Sequence, residues 1–333
     1  MRASEAGAVI LAALEGTALT PEEKLCFQQC TPAGFTLFRR NLSPDFPNIR
    51  TLSVELQSLM EGLPLLLAID QEGGRVARLR APFPLIGPAL DMGGGGTEPE
   101  TLQFLKNHAY VQASSLLGLG INANFAPVLD ILTREDNVAI GDRCFGRDAE
   151  TVTARAGAYL AGLQEGGVLG CLKHFPGQGH AAFDTHESSA IIDIDRDTLW
   201  ARELKPFMAL MPAAPMLMIS HSIYPAIDPK LPASLSPAML QGLVREKLDY
   251  RGVIVSDDMN MKAIDQDRKP WCEAIVASLH AGADLVLVCR ELERYRWAVE
   301  AIDQERSRSP SFAKRWQEAR LRMGALRSRL RNG

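Results

Sequence analysis

The amino-acid sequence predicts an α/β protein, a single-domain TIM or (β/α)8 barrel over residues 1–333, with a helical extension from about residue 291. Eight short apolar runs alternate along the chain with segments of helical periodicity. The runs are apolar throughout, as parallel strands covered on both faces require. Polar side chains cluster just after the runs, and eight strand–helix repeats close most simply as a barrel that brings those ends to one rim. A doubly wound open sheet fits less well. No Gly-x-Gly-x-x-Gly follows the first run, and Gly73-Gly74 after the third lacks that spacing.

In order, Val9 to Leu14 is the first strand. Thr20-Pro21-Glu22-Glu23 then starts a helix, with a capping hydroxyl, proline in the first turn and acids where the dipole favours them. Gly34 to Phe38 is the second strand, and Ile49, Leu52, Leu56, Leu59 and Met60 share a helical face between about Asn48 and Glu61. Leu65 to Ile69 is the third strand, ending at Asp70, and the Pro- and Gly-rich residues 82–97 form a long loop. Glu98 to Leu119 is helical, Ile121 to Val128 is the fourth strand, ending at Asp130, and a helix runs from about Ala149 to Glu165. Val168 to Leu172 is the fifth strand, with a helix from Arg196 to Leu210 beyond its loop. Pro215 to Ile219 is the sixth, ending at His221, and Ser236-Pro237 opens a helix to Lys247. Gly252 to Val255 is the seventh, ending at Asp257-Asp258, before a helix from Trp271 to His280. Asp284 to Val288 is the eighth, ending at Cys289-Arg290.

With 46% hydrophobic residues, 23% charged residues and a net charge of −4, the chain has an ordinary globular composition. Its mild acidity leaves no footprint for nucleic acid or an anionic membrane. No run approaches the ~20 apolar residues of a transmembrane helix. Six scattered cysteines form no disulfide framework, and no secretory pattern follows Met1, so reduced thiols and a cytoplasmic location are expected. Between Lys314 and Arg331 the chain is basic, with Met323, Leu326 and Leu330 at helical spacing, which predicts a helix with a solvated basic face.

The stretch from Lys173 to His186 stands out. It holds three of the six histidines, and Pro176, Gly177 and Gly179 make it a shaped loop after a strand. A plain surface loop is one reading. A metal site on His174, His180, His186 and Asp184 is another, but the spacings match no zinc signature and no metal is expected. The third is a catalytic loop in which Asp184 orients His186 for proton transfer. Convergence of Asp70, Arg75, Asp130, Lys173, His174, His221, Asp257 and Asp258 at one rim favours the third. Carboxylates, histidine and cations suit acid/base and carboxylate-nucleophile chemistry such as glycoside cleavage, with Asp257 or Asp258 beneath the anomeric carbon and His186 as proton donor. A Schiff base on Lys173 is the competing barrel chemistry.

Five ordered blocks then carry a resemblance: Asp70 to Arg78, Asn124 to Asp130, Gly141 to Gly146, Lys173 to His186 and Ser256 to Met259. They resemble the motifs of glycoside hydrolase family 3, and most closely its single-domain bacterial β-N-acetylglucosaminidases of peptidoglycan recycling. The resemblance implies Asp257 as nucleophile, His186 as general acid/base and Asp184 as its orienting partner. It implies that Asp70, Arg78, Arg143, Lys173 and His174 hold the sugar. Gln178 and Cys144 depart from the usual His and Ser. The implied reaction is retaining removal of non-reducing N-acetylglucosamine from anhydro-muropeptides in the cytoplasm, without a cofactor. The expected partner is that sugar or muropeptide substrate, with no nucleic acid and no membrane, on a monomer. A phosphorylase using the same residues and a non-catalytic sugar-binding barrel are the alternatives.

Overall fold

Eight parallel strands follow one another around a closed ring. They are β1 (Ile10–Ala12), β2 (Gly34–Leu37), β3 (Leu67–Ile69), β4 (Ala123–Asn124), β5 (Leu169–Phe175), β6 (Met216–Ile219), β7 (Val253–Asp258) and β8 (Leu285–Val288). The last strand returns to the first, with Ile10 opposite Val286 and Ala12 opposite Val288. The structure is a computed structural model that describes residues 4–43, 46–60, 62–181 and 190–330.

Strand residues alternate between two apolar layers. Leu11, Ala68, Phe125, Cys171, Met218, Val255 and Leu285 fill the barrel, while Ile10, Phe35, Ile69, Leu172, Ile254 and Val286 pack outward under the helices. Those helices are α1 (Pro21–Gln29), α2 (Phe46–Ser58), α3 (Pro99–Gly118) and α4 (Ala149–Glu165) in the first half. The second half has α5, in three consecutive pieces (Arg196–Thr198, the π-wound Leu199–Glu203 and Leu204–Leu210), the π-wound α6 (Ala238–Lys247) and α7 (Arg268–Ala281). Two more, α8 (Leu292–Arg308) and α9 (Pro310–Arg327), complete the chain. The start of α1 is a reciprocal cap: Thr20 Oγ1 accepts from Glu23 N, and the Glu23 carboxylate accepts from Thr20 N.

Polar residues buried in the strands are spent on backbone. Asn122 bonds Leu67 N and Leu65 O, and Asn124 bonds both N and O of Gln71, so β4 pins the two ends of β3. The Pro- and Gly-rich loop is organised from outside itself. Arg155 of α4, fully buried, donates to the carbonyls of Ala89, Met92 and Gly96.

Three expectations need correction. The fifth strand does not stop at Leu172 but runs through Phe175, so Lys173 and His174 are strand residues, backed by the Val128–Lys173 bridge. The fourth strand is only Ala123–Asn124, because Ala126-Pro127 turns the chain and proline cannot donate to the ladder. The basic face of α9 is not simply solvated. Met323 and Leu326 plug the barrel floor, and Arg315 and Arg322 turn inward to the buried Asp284, which Arg245 also meets.

Candidate active site

The C-terminal strand ends surround a cavity of about 500 Å³, a size suited to a small molecule. Asp70, Glu72, Arg78, Arg143, Lys173, His174, Asp257 and Asp258 all line it. They come from β3, β5, β7 and the loops between.

Asp70 and Glu72 share a face because they are two apart in extended chain. The intervening Gln71 points the other way and fastens the hairpin of Gln71–Gly73 and Val76–Ala77, accepting from Arg78 N and Leu79 N. Asp70 meets Lys173 Nζ at 2.8 Å and Arg78 Nη2 at 3.0 Å. Glu72 meets Lys173 Nζ at 2.5 Å and holds Arg143 through Nε and Nη2 at 2.9 and 2.8 Å. Arg143 Nη2 also approaches His174 Nε2 at 3.4 Å. His174 Nδ1 faces Asp130 Oδ2 at 2.6 Å, so Nδ1 carries the proton and Nε2 is left to accept. A continuous chain of polar groups therefore runs from Arg78 to Asp130.

Burial alone would raise both acids. The cations win: Lys173 and Arg78 hold Asp70 well below the carboxylate range, and Arg143 and Lys173 bring Glu72 down to about 2. Burial opposes the charge of Lys173 as well, but Asp70 and Glu72 outweigh it and keep the ammonium firmly protonated. Donors remain for a ligand. Lys173 has a third N–H, and Arg78 keeps N–H groups beyond the one spent on Asp70.

Asp257 and Asp258 end β7 in different environments. Asp257 is half-buried at the cavity, and its Oδ1 accepts from Asp258 N at 2.8 Å. Asp258 also lines the cavity, but its Oδ1 is engaged, accepting from both nitrogens of Asn260 at 3.0 Å. Burial, helped by the neighbouring Asp257, raises its pKa. His221 stands behind this turn, Nε2 on Asp258 O at 3.1 Å and Nδ1 on Ser234 Oγ at 2.6 Å. Asp257 is thus the carboxylate left open for nucleophilic or electrostatic work.

The loop after β5 is tightly seated as far as it is described. Gln178 N donates to Asp130, Tyr224 donates to Gly177 O, and Gly179 passes so close to Ile131 that a Cβ would lie 1.6 Å from its carbonyl oxygen. Glu203 lies beneath, its carboxylate paired with Arg202 and its Oε2 packed against Gly177. Burial pushes its pKa up to about 7 against the pull of Arg202. Asp184 and His186 lie outside the described residues.

Of the residues singled out by sequence, Asp70, Arg78, Arg143, Lys173, His174 and Asp257 meet at one cavity. Arg75 instead bonds Asp142 and the carbonyls of Val138, Ala139 and Ile140. Asp130 acts behind His174, and His221 behind Asp258. Glu72 was missed, although its i, i+2 spacing from Asp70 on a strand end was the available signal.

A parallel barrel whose rim gathers an open carboxylate and several hydrogen-bonding cations suits a barrel glycoside hydrolase. Comparison with known proteins agrees. The model of the glycosyl hydrolase family 3 N-terminal domain matches residues 18–317, and the chain belongs to that family. A β-hexosaminidase of Stenotrophomonas maltophilia is 38% identical over 284 residues, covering 84% of this chain and 83% of its own. Among solved structures, a family 3 β-N-acetylglucosaminidase from Paenibacillus superposes with a TM-score of 0.90 at 34% identity. That match covers 97% of this chain and 61% of the Paenibacillus one. NagZ of Neisseria gonorrhoeae, in complex with N-trifluoroacetyl-D-glucosamine, has a TM-score of 0.78 at 30% identity, covering 97% and 94% of the two chains.

Proposed function

We propose that this protein is a retaining exo-β-N-acetylglucosaminidase that releases non-reducing N-acetylglucosamine from anhydro-muropeptides of peptidoglycan in the cytoplasm. The observation that carries the reading is the opposition, across one cavity, of the half-buried Asp257 to the polar set of Arg78, Arg143, Lys173 and His174. The relatives' names and the sugar held by the Neisseria protein support the N-acetyl sugar.

In this reading Arg78, Arg143 and Lys173 donate to the sugar hydroxyls, and His174 Nε2 accepts from one. Asp257 attacks the anomeric carbon while His186, oriented by Asp184, protonates the leaving oxygen. Water, deprotonated by His186, then releases the sugar from the glycosyl–Asp257 ester with net retention. A histidine donor needs no burial to hold its proton near neutrality. Lys173 is unsuited to a Schiff base, since two carboxylates keep its amine protonated.

The test is turnover of para-nitrophenyl N-acetyl-β-glucosaminide beside the β-glucoside, by wild type, His186→Ala and Asp257→Ala. Preference for the N-acetyl sugar, with each variant slowed roughly 10³-fold or more, is expected. A 5-fluoro glycosyl fluoride is expected to label Asp257. Label on Asp258, or on no residue, would count against the covalent step.

A further inference from the structure

Arg75 lines the cavity, yet its hydrogen bonds are spent beside it. Nε donates to Asp142 Oδ1 at 2.8 Å, and Nη2 lies 2.7, 2.9 and 3.0 Å from the carbonyl oxygens of Val138, Ala139 and Ile140. A planar guanidinium can meet a carboxylate and converging carbonyls together, where an ammonium is a point charge on a flexible stem. Those carbonyls lead directly into the single turn Gly141–Arg143. Gly141 turns at a φ of +45°, and a Cβ there would sit 3.4 Å from Arg75 Nη2, so the turn is wound over the guanidinium. Arg75 thus holds the backbone from which Arg143 projects.

Arg143 leans on the same stretch a second time. Its Nη1 donates to Ala139 O at 2.9 Å, the carbonyl that also receives Arg75. Other ties lie to either side: Leu90 N donates to Asp142 O at 3.2 Å, and Asn137 bonds Ile140 N at 3.0 Å and Gln178 O at 2.8 Å. The tip of Arg143 is held by Glu72, three residues before Arg75 in the same hairpin. One hairpin therefore sets both ends of Arg143, the guanidinium through Glu72 and the backbone through Arg75.

The Arg75 side chain is 46% exposed and that of Asp142 38%. An ion pair so open to water contributes little by itself. The convergence of three backbone carbonyls on the same side chain is what gives the residue a task. Resting on the reading that Arg143 holds the sugar, we infer that Arg75 is a positioning residue for substrate binding. It makes no contact with the sugar and acts by fixing residues 138–142, so that Arg143 is in place when the sugar arrives.

A double-mutant cycle tests this. The quantity read is the dissociation constant of N-acetylglucosamine, by titration calorimetry, for wild type, Arg75→Ala, Arg143→Ala and the double variant. Arg75→Ala is expected to weaken binding about tenfold, the scale of a charge-assisted hydrogen bond lost at Arg143. In the Arg143→Ala background the same change is expected to weaken it by less than about twofold. Guanidinium chloride at sub-denaturing concentration is expected to restore binding to Arg75→Ala, while potassium chloride at equal ionic strength is not. Arg75→Lys is expected to recover little, and Asp142→Ala, which removes one of the four bonds, to show a smaller loss in the same direction. Equal losses from Arg75→Ala in the two backgrounds overturn the inference, since Arg75 then acts on the sugar independently, and leave the glycosidase reading standing. Undiminished binding by Arg75→Ala overturns it as well. Undiminished binding by Arg143→Ala overturns the proposed sugar grip and the inference with it.

Discussion

Glu72 grips Arg143 with both carboxylate oxygens, at 2.8 and 2.9 Å, while the same Oε1 receives Lys173 at 2.5 Å. One carboxylate thereby sets the spacing of two cations, one from β5 and one from the loop after β4. Both are proposed to hold the sugar, so Glu72 is placed to govern binding geometry without touching the reacting bond.

Replacing Glu72 by Gln leaves a buried Arg143 without its acid. The expected cost is about 3 kcal/mol of stability, read by urea unfolding. KM for the N-acetyl glycoside is expected to rise about tenfold, with covalent labelling at Asp257 retained. The sign with pH follows from the depressed pKa. Glu72 contributes stability above its unfolded value near 4.3, and that contribution is lost as pH falls toward about 2. The stability gap between wild type and the variant is therefore expected to narrow on acidification below pH ~4.

Glu203 predicts the opposite slope. Its pKa is raised to about 7 in the folded protein, so the native state holds a proton that the unfolded chain has released. This contribution is present below the unfolded pKa and is lost as pH rises through about 7. Glu203→Gln is expected to remove up to about 3 kcal/mol of that decline between pH ~4.5 and ~7. Parallel thermal melts of the two proteins across that range check it. Identical pH profiles would show that the Arg202 pair already keeps Glu203 ionised.

Gly179 and Gly118 make a matched pair of alanine substitutions. A Cβ at Gly179 meets the Ile131 carbonyl, whereas one at Gly118, the last residue of α3, meets nothing within 4 Å. Gly179→Ala is expected to cost about 2–3 kcal/mol and to lower kcat by displacing the segment that leads to His186. Gly118→Ala is expected to be neutral or to stabilise by up to about 1 kcal/mol. Urea midpoints and turnover of the two proteins separate local crowding from loss of glycine as such.

The fold class was legible because parallel strands buried on both faces leave an unmistakable run of apolar residues, as Leu285 to Val288 does. Four of the eight proposed site residues, Asp70, Lys173, His174 and Asp257, were readable as polar side chains following such runs, Arg78 and Arg143 came only from the family resemblance, and all six share one cavity. The fate of the remaining two, Asp184 and His186, falls outside the described residues. What could not be read was the division of labour. Nothing in Asp70-Gln71-Glu72 says which side chain faces the cavity until the hairpin is in place. Nothing in Asp257-Asp258 says that Asn260 will engage the second acid and leave the first open. Nor could composition tell that the arginines of α9 would converge on Asp284, because a charged residue's partner is a tertiary fact.

The closure of β1 onto β8 has a consequence for synthesis. Ala12 finds Val288, Tyr295 reaches back to Cys30 O, and Arg327 donates to Ala33 O. The first strand thus has one free edge until the last quarter of the protein has left the ribosome. Such non-local pairing makes folding slow and leaves an unpaired edge exposed meanwhile. A nascent chain halted before β8 would present an open sheet, so chaperone demand should peak late in translation and collapse once α8 and α9 emerge to seal the seam.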